Sequence, residues 1–251
     1  MQYTETIQSE RLYSRVAESY DRVFERAILA EGRLTSLVRR YMDDKTVLDL
    51  ACGNGRWLRR FAPGVYIGLD LNAKMLDEAR REFPNHTFIQ ADMTRLPFAD
   101  SSFDGIVSLF GAMGHLPRQG HHEMFDEAYR VLKSSGVAIF TNGNMLSPFN
   151  LPTTVKGSRV RIEGVRLRVH SFTPKQFREV VSEAGFELLD MSSYDYSYLP
   201  IMPLKFGACL FERDYQRIYS GLMDILENCR YIPTLRWFGK QLVAVCRKPC
   251  V

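Results

Sequence analysis

Three acidic residues stand near the ends of short apolar runs. Asp49 lies in Val47-Leu48-Asp49-Leu50-Ala51-Cys52-Gly53-Asn54-Gly55, Asp70 closes VYIGLD, and Asp92 lies in Gln90-Ala91-Asp92-Met93. Gly53 and Gly55 follow the first acid, and such glycines let the backbone approach a ligand closely before a helix begins. A carboxylate at Asp70 can accept two hydrogen bonds from a ribose diol lying outside the carboxyl ends of the strands. Asp92 is placed to accept from an exocyclic adenine amine, and the backbone N–H of Met93 to meet a ring nitrogen. Singly, Asp49 could be a core acid and the glycines a turn. Together, three acids at successive strand ends read as one nucleoside-shaped site.

The elements that must position these residues follow from periodicity. TVLDLA (46–51), VYIGLD (65–70), HTFIQAD (86–92), FDGIVSLF (103–110) and GVAIFTN (136–142) read as strands. GRWLRRFA (55–62), AKMLDEARREF (73–83) and HHEMFDEAYRVLKSSG (121–136) read as helices, the last closed by glycine. This alternation predicts an α/β fold, a doubly wound parallel sheet with helices on both faces. Two helical stretches precede it, one with Leu12, Val16 and Tyr20 and one with Leu34, Leu37, Val38 and Tyr41. Beyond Asn142, SRVRIEGVRLRVH (158–170) alternates strictly about Glu163-Gly164, so that one hairpin face is apolar and the other carries four arginines. A helix over 173–186 opens with Thr173 and Pro174 and ends at Gly185. A strand around 186–194 follows it, then an insertion over 195–236 holding a helix with Phe211, Tyr215, Ile218, Leu222 and Ile225 on one face, and a last strand over 241–248.

On these motifs the sequence resembles a class I S-adenosylmethionine-dependent methyltransferase. VLDLACGNG is similar to that family's first motif, GLDLNAKML to its second, and QADMTRLPFADSSFDGIVS to its third and fourth. LPFADSSFD resembles the branch that includes ubiquinone/menaquinone C-methyltransferases and many small-molecule methyltransferases. The resemblance implies S-adenosyl-L-methionine as cofactor and S-adenosyl-L-homocysteine as its product. It assigns Asp49 and Gly53 to the methionine end with Gly55 completing the turn, Asp70 to the ribose, and Asp92 with Met93 to the adenine. It implies a Rossmann-like seven-stranded sheet whose last strand is antiparallel. No His, Cys or Asp spacing suggests a metal. A nicotinamide-binding protein would want G-x-G-x-x-G, but Leu58 stands where the third glycine belongs.

The acceptor end is less defined by sequence. His115, in GAMGHLP beyond the fourth strand, is the candidate general base for an acceptor that must lose a proton, and otherwise a pocket wall. His170 is a structural second choice, and His121 and His122 are expected on a solvated helix start. Tyr20 is a candidate contact to cofactor or acceptor from a helix closing over the site, with Tyr13 on the same stretch. Arg15 could reach the methionine carboxylate or be solvated. Tyr194, Tyr196 and Tyr198 alternate, and with the 211–228 helix could line an aromatic acceptor pocket or simply pack a lid.

Composition narrows the partners. With 33 Lys and Arg against 29 Asp and Glu the net charge is +4, too small to argue for nucleic acid. No aromatics interleave with the hairpin arginines, which favours a solvated strand face over an RNA platform. No apolar run reaches the roughly 20 residues of a membrane span, and the polar start MQYTETIQSERLYSR is not that of a signal peptide. The five cysteines form no CxxC pair and read as reduced thiols of a cytoplasmic protein. The expectation is a single domain over 1–251, with a helical lid over 1–44, a cofactor-binding core over 45–142, and substrate-lid insertions over 145–170 and 195–236. Its acceptor is expected to be a small organic molecule, planar or partly hydrophobic, methylated on N, O or C. An RNA methyltransferase and a non-catalytic cofactor-binding partner subunit are the alternatives.

Overall fold

The computed structural model of the chain describes residues 4–21, 32–147, 159–162, 165–194, 237 and 239–250. Seven strands form one sheet in the order β3-β2-β1-β4-β5-β9-β8: β1 (Thr46–Leu50), β2 (Val65–Asp70), β3 (Thr87–Gln90), β4 (Phe103–Ser108), β5 (Leu132–Gly143), β8 (Glu187–Tyr194) and β9 (Gln241–Arg247). The first five strands pair in parallel, and β9 runs antiparallel to both β5 and β8. The doubly wound fold and the antiparallel last strand are as expected. Strand order reverses between β1 and β4, which makes the crevice at their carboxyl ends the ligand position of such a sheet.

Alternation along buried strands divides the core in two. Leu48, Leu50, Ile106 and Phe140 face one side, where Phe125 of α4 (Arg118–Val131) and Phe177 of α5 (Pro174–Glu183) cover them. Val47, Val107, Ile139 and Val245 face the other, against Leu34, Val38 and Met42 of α2 (Gly32–Met42) and Leu76 of α3 (Ala73–Glu82). Both faces are buried, which is why these strands read as near-continuous apolar runs.

Two local expectations are corrected. The helix expected over 121–136 starts earlier and ends at Val131. Leu132 is fully buried and pairs with Phe103, so the strand takes the chain from there. Gly136 is therefore a strand glycine: an added Cβ would sit 2.8 Å from the Lys133 carbonyl oxygen. The segment GRWLRRFA forms only a 3-10 turn, Arg56–Arg60, entered through Gly55 at φ +74°.

Elsewhere the pattern holds. Thr173 caps α5 reciprocally with Gln176, and the backbone turns at Gly185 with φ +91°. The hairpin β6 (Arg159–Ile162) and β7 (Val165–Arg168) pairs Arg159 with Arg168 and Arg161 with Arg166 in the expected register. Leu167 is buried against Leu12 and Val16 of α1 (Thr4–Val16), which joins that hairpin to the N-terminal helix. Tyr196, Tyr198, the Glu163-Gly164 turn and the 195–236 insertion, apart from its neighbour Trp237, lie outside the described residues. Among the described residues no helix is long and apolar enough to cross a membrane.

Candidate functional site

A cleft with about 940 Å³ of empty space opens at the strand reversal. The segments after β1, β2, β3 and β4 form its floor and sides, and Thr6, Ser9, Glu10 and Tyr13 of α1 lie along it. Of the residues expected at the site, Gly53, Asp70, Asp92, Met93, Tyr20 and His115 all line this one cleft.

Asp70 is the pivot of the strand-end side. Gly53 N–H donates to its Oδ2 and Asn72 N–H to its Oδ1, each at 2.8 Å. A carboxylate can accept at about four positions, so acceptor capacity remains for a ligand hydroxyl. Burial raises the Asp70 pKa, opposed by these backbone donors. Gly53 sits at φ +58°, where a Cβ would meet Met75 Cε at 3.1 Å, so the loop needs glycine for both its turn and its closeness to α3. Asp92 accepts from the Thr94 N–H at 2.9 Å and its hydroxyl at 2.8 Å, both on Oδ1. Oδ2 has no hydrogen-bond partner among the described residues. A glycine turn, a half-buried acid and a second half-engaged acid supply the acceptors that fit a nucleoside with hydroxyls and an exocyclic amine. Among the described residues no cluster of His, Cys, Asp or Glu is arranged to hold a metal.

Asp49 and Gly55 do not line the cleft. Asp49 is 2% exposed and accepts from the Tyr66 hydroxyl at 2.8 Å. Burial pushes its carboxyl up to about 7, against the Tyr66 bond and helped by the charge on Asp70. Gly55 packs beside Phe83 and Phe88 and turns the chain. Arg15 is exposed and outside the cleft.

The other side of the cleft is aromatic. Tyr13 Oη lies 2.9 Å from His115 Nε2, with the rings edge-on at 5.5 Å, and Tyr20 stands edge-on to Tyr13 at 6.0 Å. Arg56 is buried, and its guanidinium lies over Phe110 at 4.5 Å and over Tyr20 at 5.8 Å. Burial depresses the His115 pKa to about 4, so the imidazole is neutral at physiological pH. His115 ends a 3-10 turn, Ala112–His115, that is pinned from behind. His121 Nε2 bonds the Met113 carbonyl at 2.9 Å, and the His170 N–H donates to the Gly114 carbonyl at 2.7 Å. The expectation of a solvated His121 is thus overturned: it is 1% exposed, because it stands three, four and seven positions before the buried Met124, Phe125 and Ala128, on the same face of α4. His122 is exposed, as expected.

Asn72 is the residue that sequence reading missed. Its Oδ1 caps α3 by accepting from the Met75 N–H at 3.0 Å. Its Nδ2 donates to the Glu10 carbonyl at 2.8 Å and to Ser14 Oγ at 2.9 Å, fastening α1 across the cleft. An Asn directly before an amphipathic helix is a recognisable cap signal, but the link to α1 spans about sixty positions and leaves no local trace.

The comparisons agree with this geometry. A Methyltransferase domain family matches residues 47–136. A demethylmenaquinone methyltransferase of Thermotoga maritima is 34% identical over 206 residues, which span 71% of this chain and 87% of that one. The fold matches the methyltransferase solved in complex with the Trm112 methyltransferase activator of Haloferax volcanii, with a TM-score of 0.67 at 20% identity, covering 94% of this chain and 97% of that one. It also matches a S-adenosylmethionine-dependent methyltransferase of Thermotoga maritima, with a TM-score of 0.63 at 15% identity, covering 95% and 98%. Kinship across most of both chains, together with a strand-reversal cleft suited to a nucleoside, places the chain in the class I S-adenosylmethionine-dependent methyltransferases, enzymes that draw on that methyl donor.

Proposed function

We propose that this enzyme methylates an N, O or C atom of a small organic acceptor that is planar or partly hydrophobic. The observation that carries this is the aromatic wall opposite Asp70. Tyr13, Tyr20, Phe110 and His115 converge on the same cleft as the strand-end acids. Flat apolar surface with few polar groups suits a small, partly hydrophobic molecule. The similarity to a demethylmenaquinone methyltransferase supports an acceptor of that kind.

In this reading the Gly53 turn holds the methionine end, Asp70 the ribose, and Asp92 with Met93 the adenine, while Tyr20 packs against the cofactor. Asp49 supports the turn from beneath through Tyr66. The donor supplies a methyl group on a sulfonium, and the protein's part is to hold the acceptor in line with it and dry. Residues 1–44 act as a lid through α1, the core spans 45–142, and 145–170 with 195–236 complete the acceptor side of a single domain.

A second reading is supported by the Haloferax relative, which was solved with an activator protein. On that reading the chain acts with a protein partner, on RNA or another macromolecule. Incubation with methyl-labelled S-adenosylmethionine and cell extract, separated into small-molecule, lipid, RNA and protein fractions, tests both. Label in the small-molecule or lipid fraction is the expected result. Label in RNA or protein overturns the small-acceptor reading, and label nowhere despite cofactor binding favours a partner-dependent or non-catalytic subunit.

A further inference from the structure

The hydrogen bonds around His115 decide which ring nitrogen carries its proton. Nε2 faces Tyr13 Oη at 2.9 Å. Nδ1 is sealed from solvent and has no partner among the described residues. A neutral imidazole carries one N–H and one bare nitrogen. A proton on Nδ1 would bury an orphan N–H, which folded proteins seldom tolerate, whereas a proton on Nε2 leaves only an unused acceptor. The proton therefore sits on Nε2 and is donated to the Tyr13 oxygen. The phenol's own proton is then free to turn into the cleft that Tyr13 lines, since no other described group accepts it. Meanwhile the bare nitrogen of His115 is Nδ1, which is shut away from the cleft.

We propose that Tyr13 donates a hydrogen bond to an ionised oxygen of the methyl acceptor, that His115 is the positioning residue that polarises this phenol, and that the acceptor class is a phenolate, enolate or carboxylate. A phenol that itself receives an N–H is a stronger donor, and a preset donor in a dry site is most effective toward negative charge. The electron balance suits such an acceptor. Its electron pair forms the bond to the methyl carbon while the carbon–sulfur bond breaks and leaves its pair on sulfur. One anion and one cation thus give neutral products, and neither residue has to take up a proton. This assigns His115 a duty other than general base, and it rests on the small-acceptor reading above.

Two measurements test it. Long-range proton–nitrogen spectra of imidazole-labelled protein report the His115 tautomer directly. Protonated Nε2 with bare Nδ1 is expected, and the reverse overturns the proposal whatever the acceptor. The second uses 4-nitrophenol, whose absorbance separates phenol from phenolate, bound to the protein loaded with S-adenosylhomocysteine. The wild type should favour bound phenolate by roughly tenfold over free solution. Tyr13→Phe and His115→Leu should lose this preference, and His115→Gln, whose amide N–H replaces Nε2–H, should keep it. Failure of the wild type to bind the phenol, or equal ionisation in wild type and Tyr13→Phe, overturns the proposal. Calorimetry with S-adenosylhomocysteine alone reports separately whether the cofactor placement stands.

Discussion

On the strand-end side of the cleft, Asp70 is held by backbone N–H groups from Gly53 and Asn72, 17 and 2 positions away. On the helix side, Tyr13 and His115 hold each other across 102 positions, side chain to side chain. The first arrangement is built by a turn and a strand end, so it is present whenever the sheet is formed. The second exists only when α1 docks, and α1 docks through Asn72 and through apolar contacts to Leu167. One cleft thus joins a side fixed by local geometry to a side assembled by tertiary contact. The fixed side suits a moiety common to every turnover, and the assembled side suits a part that varies between relatives.

The largest expected effect falls on the fixed side. Asp70→Ala removes the acceptor for two backbone donors as well as for the ligand. Two ribose bonds to a carboxylate are worth about 1.5–3 kcal/mol each, so calorimetric affinity for S-adenosylhomocysteine should drop by about a thousandfold, about 4 kcal/mol. A loss no larger than that of Tyr13→Phe would erase the contrast between the two sides. Next, Asn72→Ala deletes a cap of about 1 kcal/mol and two further hydrogen bonds of about 1 kcal/mol each. Thermal unfolding should fall by about 5 °C or more, with protease cleavage appearing first in α1. A uniform loss of stability without early cleavage of α1 would show that Asn72 serves only as a helix cap.

The smallest effect at neutral pH concerns the support behind His115. Burial holds His121 at about 4, below the ordinary 6.5 of histidine. Between these values the unfolded chain binds a proton that the folded chain refuses, so stability is complete above pH 6.5 and drains away as pH falls toward 4. His121→Gln keeps an N–H for the Met113 carbonyl and removes the titration. Its stability should decline less steeply over that interval, by up to about 1.4 kcal/mol per pH unit. Parallel curves for wild type and variant would mean that His121 is not neutral in the fold.

The contrast also explains what was legible beforehand. The strand-end loops announced themselves because acid, glycine and apolar run lie within a few residues, and Gly53, Asp70, Asp92 and Met93 line one cleft. Hairpin register was readable because alternation on both sides of a two-residue turn at Glu163-Gly164 admits only one pairing. The end of α4 is not legible in sequence because Leu132 fits either a helix face or a strand, and only its pairing with Phe103 decides. The burial of His121 could be read from its spacing of three, four and seven to Met124, Phe125 and Ala128. The fastening of α1 by Asn72 and the bond from Tyr13 to His115 were illegible, since each joins residues that only the finished fold makes neighbours.

The burial of Asp49 has a consequence for how this chain can diverge. Its carboxyl answers to the Tyr66 hydroxyl 2.8 Å away, and no edge of it reaches the cleft. Loss of either partner strands a buried polar group, whereas replacing both by apolar groups of similar shape can be nearly neutral. Positions 49 and 66 are therefore one unit of inheritance: neither is free to drift alone, and a lineage that abandons the first-motif acid must rewrite the second strand in the same stroke.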